Sequence, residues 1–224
     1  MIIKELTLNT SNIKATMHFY GSCLQLPLID QSVDKVSFAI GASILSFTRT
    51  DEKPFYHFAF NIPCNLLTEA LEWVEARTTI LSFSENSRLG DFTGWRAKAF
   101  YFHDHEGNIA ECIARFDLPG KAAATGFDQN SFLNISEIGL VVDDVAAEAE
   151  SFSSQYQLPY FSKGPKLADF MPMGDDEGLF LLTKSGRGWL PTGRAAEKHE
   201  VQLRFRQHNK DFELNLKKEG VLPR

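Results

Sequence analysis

The sequence predicts an α+β fold made of serial β-α-β-β-β modules, and three observations support this. The tripeptide Gln-Leu-Pro at residues 25–27 recurs at residues 157–159, and the same offset of 132 residues carries Glu5 onto Glu137. Short runs of alternating polar and apolar residues flank amphipathic segments, the pattern of strands around helices. Hydrophobic residues make up 43% and charged residues 23% of the 224 residues. This usage is typical of globular proteins, so the chain can bury a core.

The first module shows each predicted element in order. An alternating run predicts a strand over Lys4–Thr10, and Ser11 or Asn12 supplies the cap of the helix that follows it. That helix ends before Pro27, because proline cannot continue a helix. Two further strands are predicted at Val36–Ile40 and Ser43–Thr48, with Gly41 at the tight turn between them.

Two more stretches repeat this order, and the chain ends with one additional run. The second module is predicted as strand Tyr56–Ile62, a helix over about 65–77, and strands at Leu81–Phe83, Ala97–Phe102 and Asn108–Ala114. The third begins with strand Ser136–Val142 and a helix capped by Asp143 or Asp144. A Gly/Ala-rich stretch, residues 119–126, predicts a linker, and Val201–Phe205 predicts a last strand. We therefore predict a paired-module domain over residues 1–117, and a third module with a partial C-terminal extension over residues 133–224.

Charge and cysteine content exclude several functions. Lys and Arg number 23 and Asp and Glu 29, a net charge of −6 with no basic run, so nucleic acid is not an expected partner. No apolar stretch approaches the roughly 18 residues of a membrane span, and the first residues lack a signal-peptide pattern, so we expect a cytoplasmic protein without a membrane partner. Cys23, Cys64 and Cys112 are widely spaced, which predicts free thiols.

The serial modules, with the turn Asp104–Asn108 leading into a strand that carries Glu111, resemble the vicinal oxygen chelate superfamily. Its members include glyoxalase I, extradiol dioxygenases and bleomycin-resistance proteins. The resemblance implies that two modules form an incurved sheet around a metal ion. It also implies ligands near the start of each first strand and on each last strand. In this sequence the first-strand positions are Glu5 and His57, and the last-strand positions are Ser46 and Glu111.

Strand alternation gives these residues a chemical meaning. His57 lies opposite Phe58, so it projects from the polar face of its strand, which we expect to be open. Glu111 lies between Ala110 and Cys112 in a run that predicts burial, and buried carboxylates are seldom left without a partner. One imidazole and two carboxylates suit Fe(II), Mn(II) or Zn(II). The predicted metal ligands are Glu5, His57 and Glu111.

Plainer interpretations stand beside this one. Taken alone, Glu5 is typical of a solvated surface carboxylate, and His57 of a hydrogen-bonded histidine. Ser46 replaces the Glu or Gln found in glyoxalase relatives, which disfavours proton abstraction beside a carbonyl. Glu5 stands where extradiol dioxygenases have a His. The third module repeats the carboxylate as Glu137, but Leu182 or Thr183 stands near its last-strand position, so this module is expected to serve as a wall or a dimer surface.

These expectations combine into one function and one alternative. The first is a metal-dependent lyase or dioxygenase of the vicinal oxygen chelate type that acts on a small substrate with adjacent oxygens. The alternative is a binding protein in the bleomycin-resistance manner, whose cavity holds a ligand without catalysis. A loop carrying Arg187 and Trp189 is a candidate to close over a ligand carboxylate in either case. A homodimer is a further expectation.

Overall fold

A computed structural model describes residues 1–118 and 126–217 and the backbone of residues 220–221. Most of the predicted linker, residues 119–125, lies outside the described residues. The helices are α1 (Ile13–Thr16), continued by a π-helical segment Met17–Cys23, α2 (Leu67–Glu75) and α3 (Val145–Tyr156). The strands up to the end of the second module are β1 (Ile2–Thr10), β2 (Leu28–Gln31), β3 (Lys35–Ile40), β4 (Ser43–Arg49), β5 (His57–Ile62), β6 (Gly90–Phe92), β7 (Ala97–His103) and β8 (Ile109–Arg115). The later strands are β9 (Asn134–Val142), β10 (Phe170–Asp175), β11 (Gly178–Lys184), β12 (Gly188–Trp189), β13 (Arg194–Ala195), β14 (Val201–Gln207), β15 (Lys210–Lys217) and β16 (Gly220–Val221).

Local sequence explains where the helices begin and end. The Asn12 side chain accepts a hydrogen bond from the Ala15 N–H at 3.1 Å and so caps α1. The Asp144 carboxylate accepts from two backbone N–H groups at the start of α3. That helix ends at Gln157, which is left-handed at φ 56°, just before Pro159. The predicted strand Leu81–Phe83 does not form; isolated bridges from Ile80 to Phe102 and from Ser84 to Ser87 flank it.

The predicted fold class is confirmed. Two β-α-β-β-β modules, residues 2–49 and 57–115, are followed by a third, residues 134–184, in which an isolated bridge from Tyr160 to Met173 stands in place of one strand. A hairpin at residues 201–217 follows the third module. Among the described residues, fourteen strands join into one sheet. In each module the first and last long strands lie side by side and parallel, as in the pairs β1–β4, β5–β8 and β9–β11.

The modules pair differently from the prediction. β5 of the second module lies antiparallel to β9 of the third, whereas β1 of the first lies antiparallel to β14 of the C-terminal hairpin. The expectation that the first two modules share one cavity is therefore corrected. The physical reason is that every first strand offers the same open backbone edge, and local periodicity does not distinguish the edges.

Burial is extensive on both faces of β5. All six of its residues are buried, so the polar face that was expected to be open is covered. The main core holds most of the phenylalanines, including Phe58 and Phe60 of this strand. A second apolar cluster contains Tyr101, Leu181 and Trp189, which lie on the other side of the sheet around a cavity. Within the described residues, no helix combines the length and the hydropathy needed to span a bilayer.

Candidate metal centre

Two neighbouring strands place a carboxylate on either side of β5. Ala59 pairs with Glu111 on β8 and with Glu137 on β9, so the two glutamates share one row and one face of the sheet. His57 precedes Ala59 by two residues and therefore projects from the same face. One possible ligand atom from each of His57, Glu111 and Glu137 lies within 4.8 Å of the others. The second and third modules thus bring an imidazole and two carboxylates together.

The backbone orients His57. Its Nδ1 lies 3.1 Å from the carbonyl oxygen of Ile109, to which it donates, and its Nε2 lies 3.5 Å from Oε2 of Glu111. The residue is only 5% exposed, and burial lowers the pKa of the imidazole to about 4, against the opposing effect of the Ile109 hydrogen bond. The ring is neutral at neutral pH, and its Nε2 lone pair faces the carboxylates. A backbone acceptor that fixes the tautomer in this way is typical of metal-binding histidines.

The two carboxylates share this buried site with one guanidinium. Burial and the neighbouring charge of Glu137 raise the pKa of Glu111 well above its usual value, and burial also raises the pKa of Glu137. The Tyr101 phenol donates a hydrogen bond to Glu111. The buried guanidinium of Arg115 donates to Glu137. With both carboxylates ionised, the one guanidinium would leave one negative charge uncompensated, and the raised pKa values of the two carboxyls reflect that cost. A divalent cation would neutralise this charge, so these residues fit a metal ion.

The cavity beside these side chains is small and largely apolar. Its volume is about 200 Å³. This is less than the roughly 300–1,000 Å³ of pockets for drug-sized ligands. Its wall is lined by aromatic residues, namely Phe92, Trp95, Tyr101, Phe170 and Trp189.

Within its described strands, the third module has no counterpart of Glu111. Gly139 pairs with Leu181 as Ala59 pairs with Glu111, so Leu181 occupies the equivalent position. The group of His57, Glu111 and Glu137 therefore contains three side chains that could bind a metal ion, with no fourth from β11.

Glu5 does not join this group. The carboxylate lies 3.0 Å from Arg204, 3.5 Å from Lys35 and 3.1 Å from the Ser46 hydroxyl, in a polar cleft of the first module and the C-terminal hairpin. Glu5 of the predicted ligand set therefore lies apart from His57 and Glu111, and Glu137 is the second carboxylate that lies beside them. The internal repeat contained the signal, because Glu137 stands at the equivalent position of the third module. That module, expected to be only a wall or a dimer surface, supplies a side chain to the site.

Sequence reasoning missed two more groups in this site. The sequence pattern does not indicate a role for Arg115, because a charged residue at the end of an apolar run is typical of the end of a strand. Tyr101 sits among alternating aromatics, which predicted only packing. Of the two loop residues proposed to close over a ligand, both line the cavity, and Arg187 forms an ion pair with Asp169 at 2.7 Å. Its charge is therefore already partnered.

His57 should make the metal-free protein less stable in acid. Its pKa is about 4 in the fold against 6.5 when unfolded, so the unfolded chain binds more protons between these values. Stability is then retained above pH 6.5 and lost as the pH falls toward 4, by about 3 kcal/mol at the full shift of about 2.5 units. The raised carboxyl pKa values act in the opposite direction and are common to wild type and variant. Urea unfolding of His57→Gln should show a smaller loss of stability over this range, and parallel pH profiles would contradict the assignment.

Comparisons with known proteins agree on the architecture. No protein-family model and no curated protein sequence matches the chain. A Bacillus subtilis structure, of a protein proposed to be a dioxygenase, covers 96% of this chain and 84% of its own, with TM-score 0.58 and 14% identity. A glyoxalase I variant from Zea mays covers 89% and 73%, with TM-score 0.58 and 14% identity. A lactoylglutathione lyase from Agrobacterium tumefaciens covers 50% and 92%, with TM-score 0.42 and 18% identity. At such identities the two longer matches establish the fold alone.

Proposed function

We propose that this chain, whose fold is that of the vicinal oxygen chelate proteins as its sequence predicted, is a metal-dependent enzyme. Its substrate would be small and partly apolar, with two adjacent oxygens. His57, Glu111 and Glu137 would hold the metal ion, and Fe(II), Mn(II) and Zn(II) suit one nitrogen and two carboxylate ligands. A cytoplasmic location and a homodimer remain predictions from the sequence.

The observation that carries the proposal is the convergence of these three side chains in one buried site. Exposed acidic groups often cluster without a ligand, but these three residues are 3–5% exposed. Burying two carboxylates is costly unless a cation compensates them. Arg115 compensates one of them, and a metal ion would compensate the other.

The protein's own residues prepare the site for this chemistry. A bound cation would act as a Lewis acid that polarises the paired oxygens of a substrate. Tyr101 holds Glu111 in place and keeps its own proton, because burial raises its phenol pKa well above the usual value. Arg115 fixes Glu137 from the opposite side. The aromatic wall excludes water from the substrate.

The vacant fourth ligand position favours one reaction class. Glyoxalase-type isomerisation needs a base beside the metal, and Leu181 cannot serve as one. Ser46, whose hydroxyl is not a base of the required strength, lies outside this site and donates a hydrogen bond to Glu5. A site with three protein ligands leaves coordination positions for two substrate oxygens and a further small molecule, which is the requirement for dioxygenase-like chemistry.

A binding protein of the bleomycin-resistance type is the second candidate, and one observation favours it. Arg115 already pairs with Glu137, and Tyr101 with Glu111, so each carboxylate has a partner without a metal ion. The small apolar cavity would then hold a ligand by shape alone. The two functions differ in whether ligand binding requires a metal.

Glu137→Gln should weaken transition-metal binding about tenfold, about 1.4 kcal/mol. Glutamine keeps an oxygen donor but removes the charge, which explains why the expected loss is not larger. The matched control is Glu5→Gln, because Glu5 occupies the same position of the first module and contacts Arg204 instead. The Glu5 variant should bind metal like the wild type. Isothermal titration with Zn(II), and metal analysis of protein purified without chelator, give both values.

The same preparations separate the enzyme from the binder. Absorption spectra of 4-nitrocatechol, a compact molecule with two adjacent oxygens, should shift only with metal-loaded protein. A shift of equal size with metal-free protein would favour the binding protein. Absence of metal uptake by the wild type, even after metal addition, would contradict the enzyme proposal.

A further inference from the structure

The segment that connects β11 to β14, residues 185–200, forms a strap beside the cavity. Its short strands β12 and β13 pair with each other, and the N–H of Gly186 donates to the Ala196 carbonyl at 2.9 Å. The Arg194 guanidinium lies 3.5 Å from the centre of the Phe55 ring, and Lys198 forms an ion pair with Asp143 at 2.8 Å. These anchors hold the strap, and hence Trp189, in one position against the rest of the protein.

The indole of Trp189 lines the cavity between His57 and Gly139. It is 6% exposed, and its ring centre is 4.8 Å from that of the His57 imidazole. The ring also lies against Gly139, where an added Cβ would be 2.6 Å from indole carbons. The φ of Gly139 does not lie in the left-handed region, so its backbone does not require glycine. The close approach of the indole does require it.

We propose that Trp189, seated against Gly139, sets the upper size of the ligand that the metal centre admits. The indole fills the concave sheet next to a proposed metal ligand and leaves a cavity of about 200 Å³. The ligand is therefore a compact molecule with two adjacent oxygens and no bulky group toward the strap. This inference rests on the proposed function, since it assumes that the ligand lies at the three metal-binding side chains.

A pair of probes that differ only in bulk tests the inference. Catechol and 3-phenylcatechol are titrated anaerobically into Zn(II)-loaded protein, in which the metal is redox-inert. Wild type should bind catechol at least tenfold more tightly than 3-phenylcatechol. Trp189→Ala should reduce this ratio at least tenfold, chiefly by strengthening the binding of 3-phenylcatechol. If the alanine variant does not fold, Trp189→Leu should shift the ratio in the same direction. The control is Leu28→Ala, which shortens a half-exposed side chain on β2 of the first module, outside the cavity, and should leave the ratio unchanged.

Gly139→Ala tests the seat of the indole independently. The new methyl group should displace the indole and relax the size discrimination in the wild-type background. In the Trp189→Ala background it should have little further effect on discrimination, because the indole that it would displace is already absent and the next neighbour, the His57 carbonyl oxygen, lies at 3.3 Å. Additive effects of the two substitutions would overturn the proposed seat.

Different outcomes of these titrations test the size limit and the proposed metal site separately. Wild-type protein that fails to bind Zn(II) overturns both. Zn(II) binding with the same probe ratio in wild type and in the Trp189 variants, or Zn(II) binding without catechol binding, overturns the size limit and leaves the metal site standing.

Discussion

Arg115→Met should destabilise the metal-free protein by about 3–5 kcal/mol, the usual cost of removing one partner of a buried ion pair. Arg115 is 1% exposed and donates to Glu137, while its Nε–H donates to the Ser136 hydroxyl at 3.3 Å and its Nη1 lies 3.5 Å from Asp176. Methionine fills a similar volume but leaves the Glu137 carboxylate buried without a cation. Urea denaturation followed by circular dichroism measures the change.

Two controls show whether the cost arises from the stranded charge. The double variant Arg115→Met/Glu137→Gln removes both charges and should recover most of the lost stability, because an apolar replacement of a whole pair is often close to neutral. Arg206→Ala removes an arginine from the exposed pair with Asp211 and should leave the unfolding midpoint within error. Equal stability of Arg115→Met and wild type would mean that Glu137 finds another partner or stays protonated at no cost.

His57→Ala should weaken transition-metal binding by a hundredfold or more, about 2.7 kcal/mol. His57 is the only nitrogen donor of the three proposed ligands, and the Ile109 carbonyl fixes its tautomer. Without it, two carboxylates alone form an oxygen site that prefers harder ions such as Mg²⁺. The measurement is titration of Zn(II) into protein that far-ultraviolet circular dichroism shows to be folded.

The same variant should also lose some stability, because His57 is buried and packs against Trp189. Affinity is therefore compared well below the melting temperature of the variant. His18→Ala removes an exposed histidine of the first module and should leave both metal affinity and melting temperature unchanged. A His57→Ala protein that melts earlier yet binds Zn(II) with wild-type affinity would identify His57 as a structural residue and contradict the proposed metal centre.

The sequence alone predicts the modular fold and two residues of the candidate site, His57 and Glu111. Alternation along Tyr56–Ile62 and around Glu111 predicted which face each side chain takes, and strand periodicity is a local property that needs no partner. Burial of Glu111 followed from its apolar neighbours and is observed at 3% exposure. The internal repeat predicted that Glu5 and Glu137 occupy equivalent positions.

Strand pairing in the folded protein selects which of these two carboxylates lies beside His57 and Glu111. Glu5 and Glu137 have the same local pattern, but β1 pairs with β14, which sets Glu5 directly beside Arg204, whereas β9 pairs with β5, which sets Glu137 beside Glu111 and His57. The surroundings of the site come from residues far apart in sequence. Arg115 compensates the charge of Glu137, and Trp189 and Gly139 shape the cavity. Hydrophobic periodicity carries no information about such distant partners. The combination of His57, Glu111 and Glu137 therefore could not be predicted from local patterns and follows from the strand pairing.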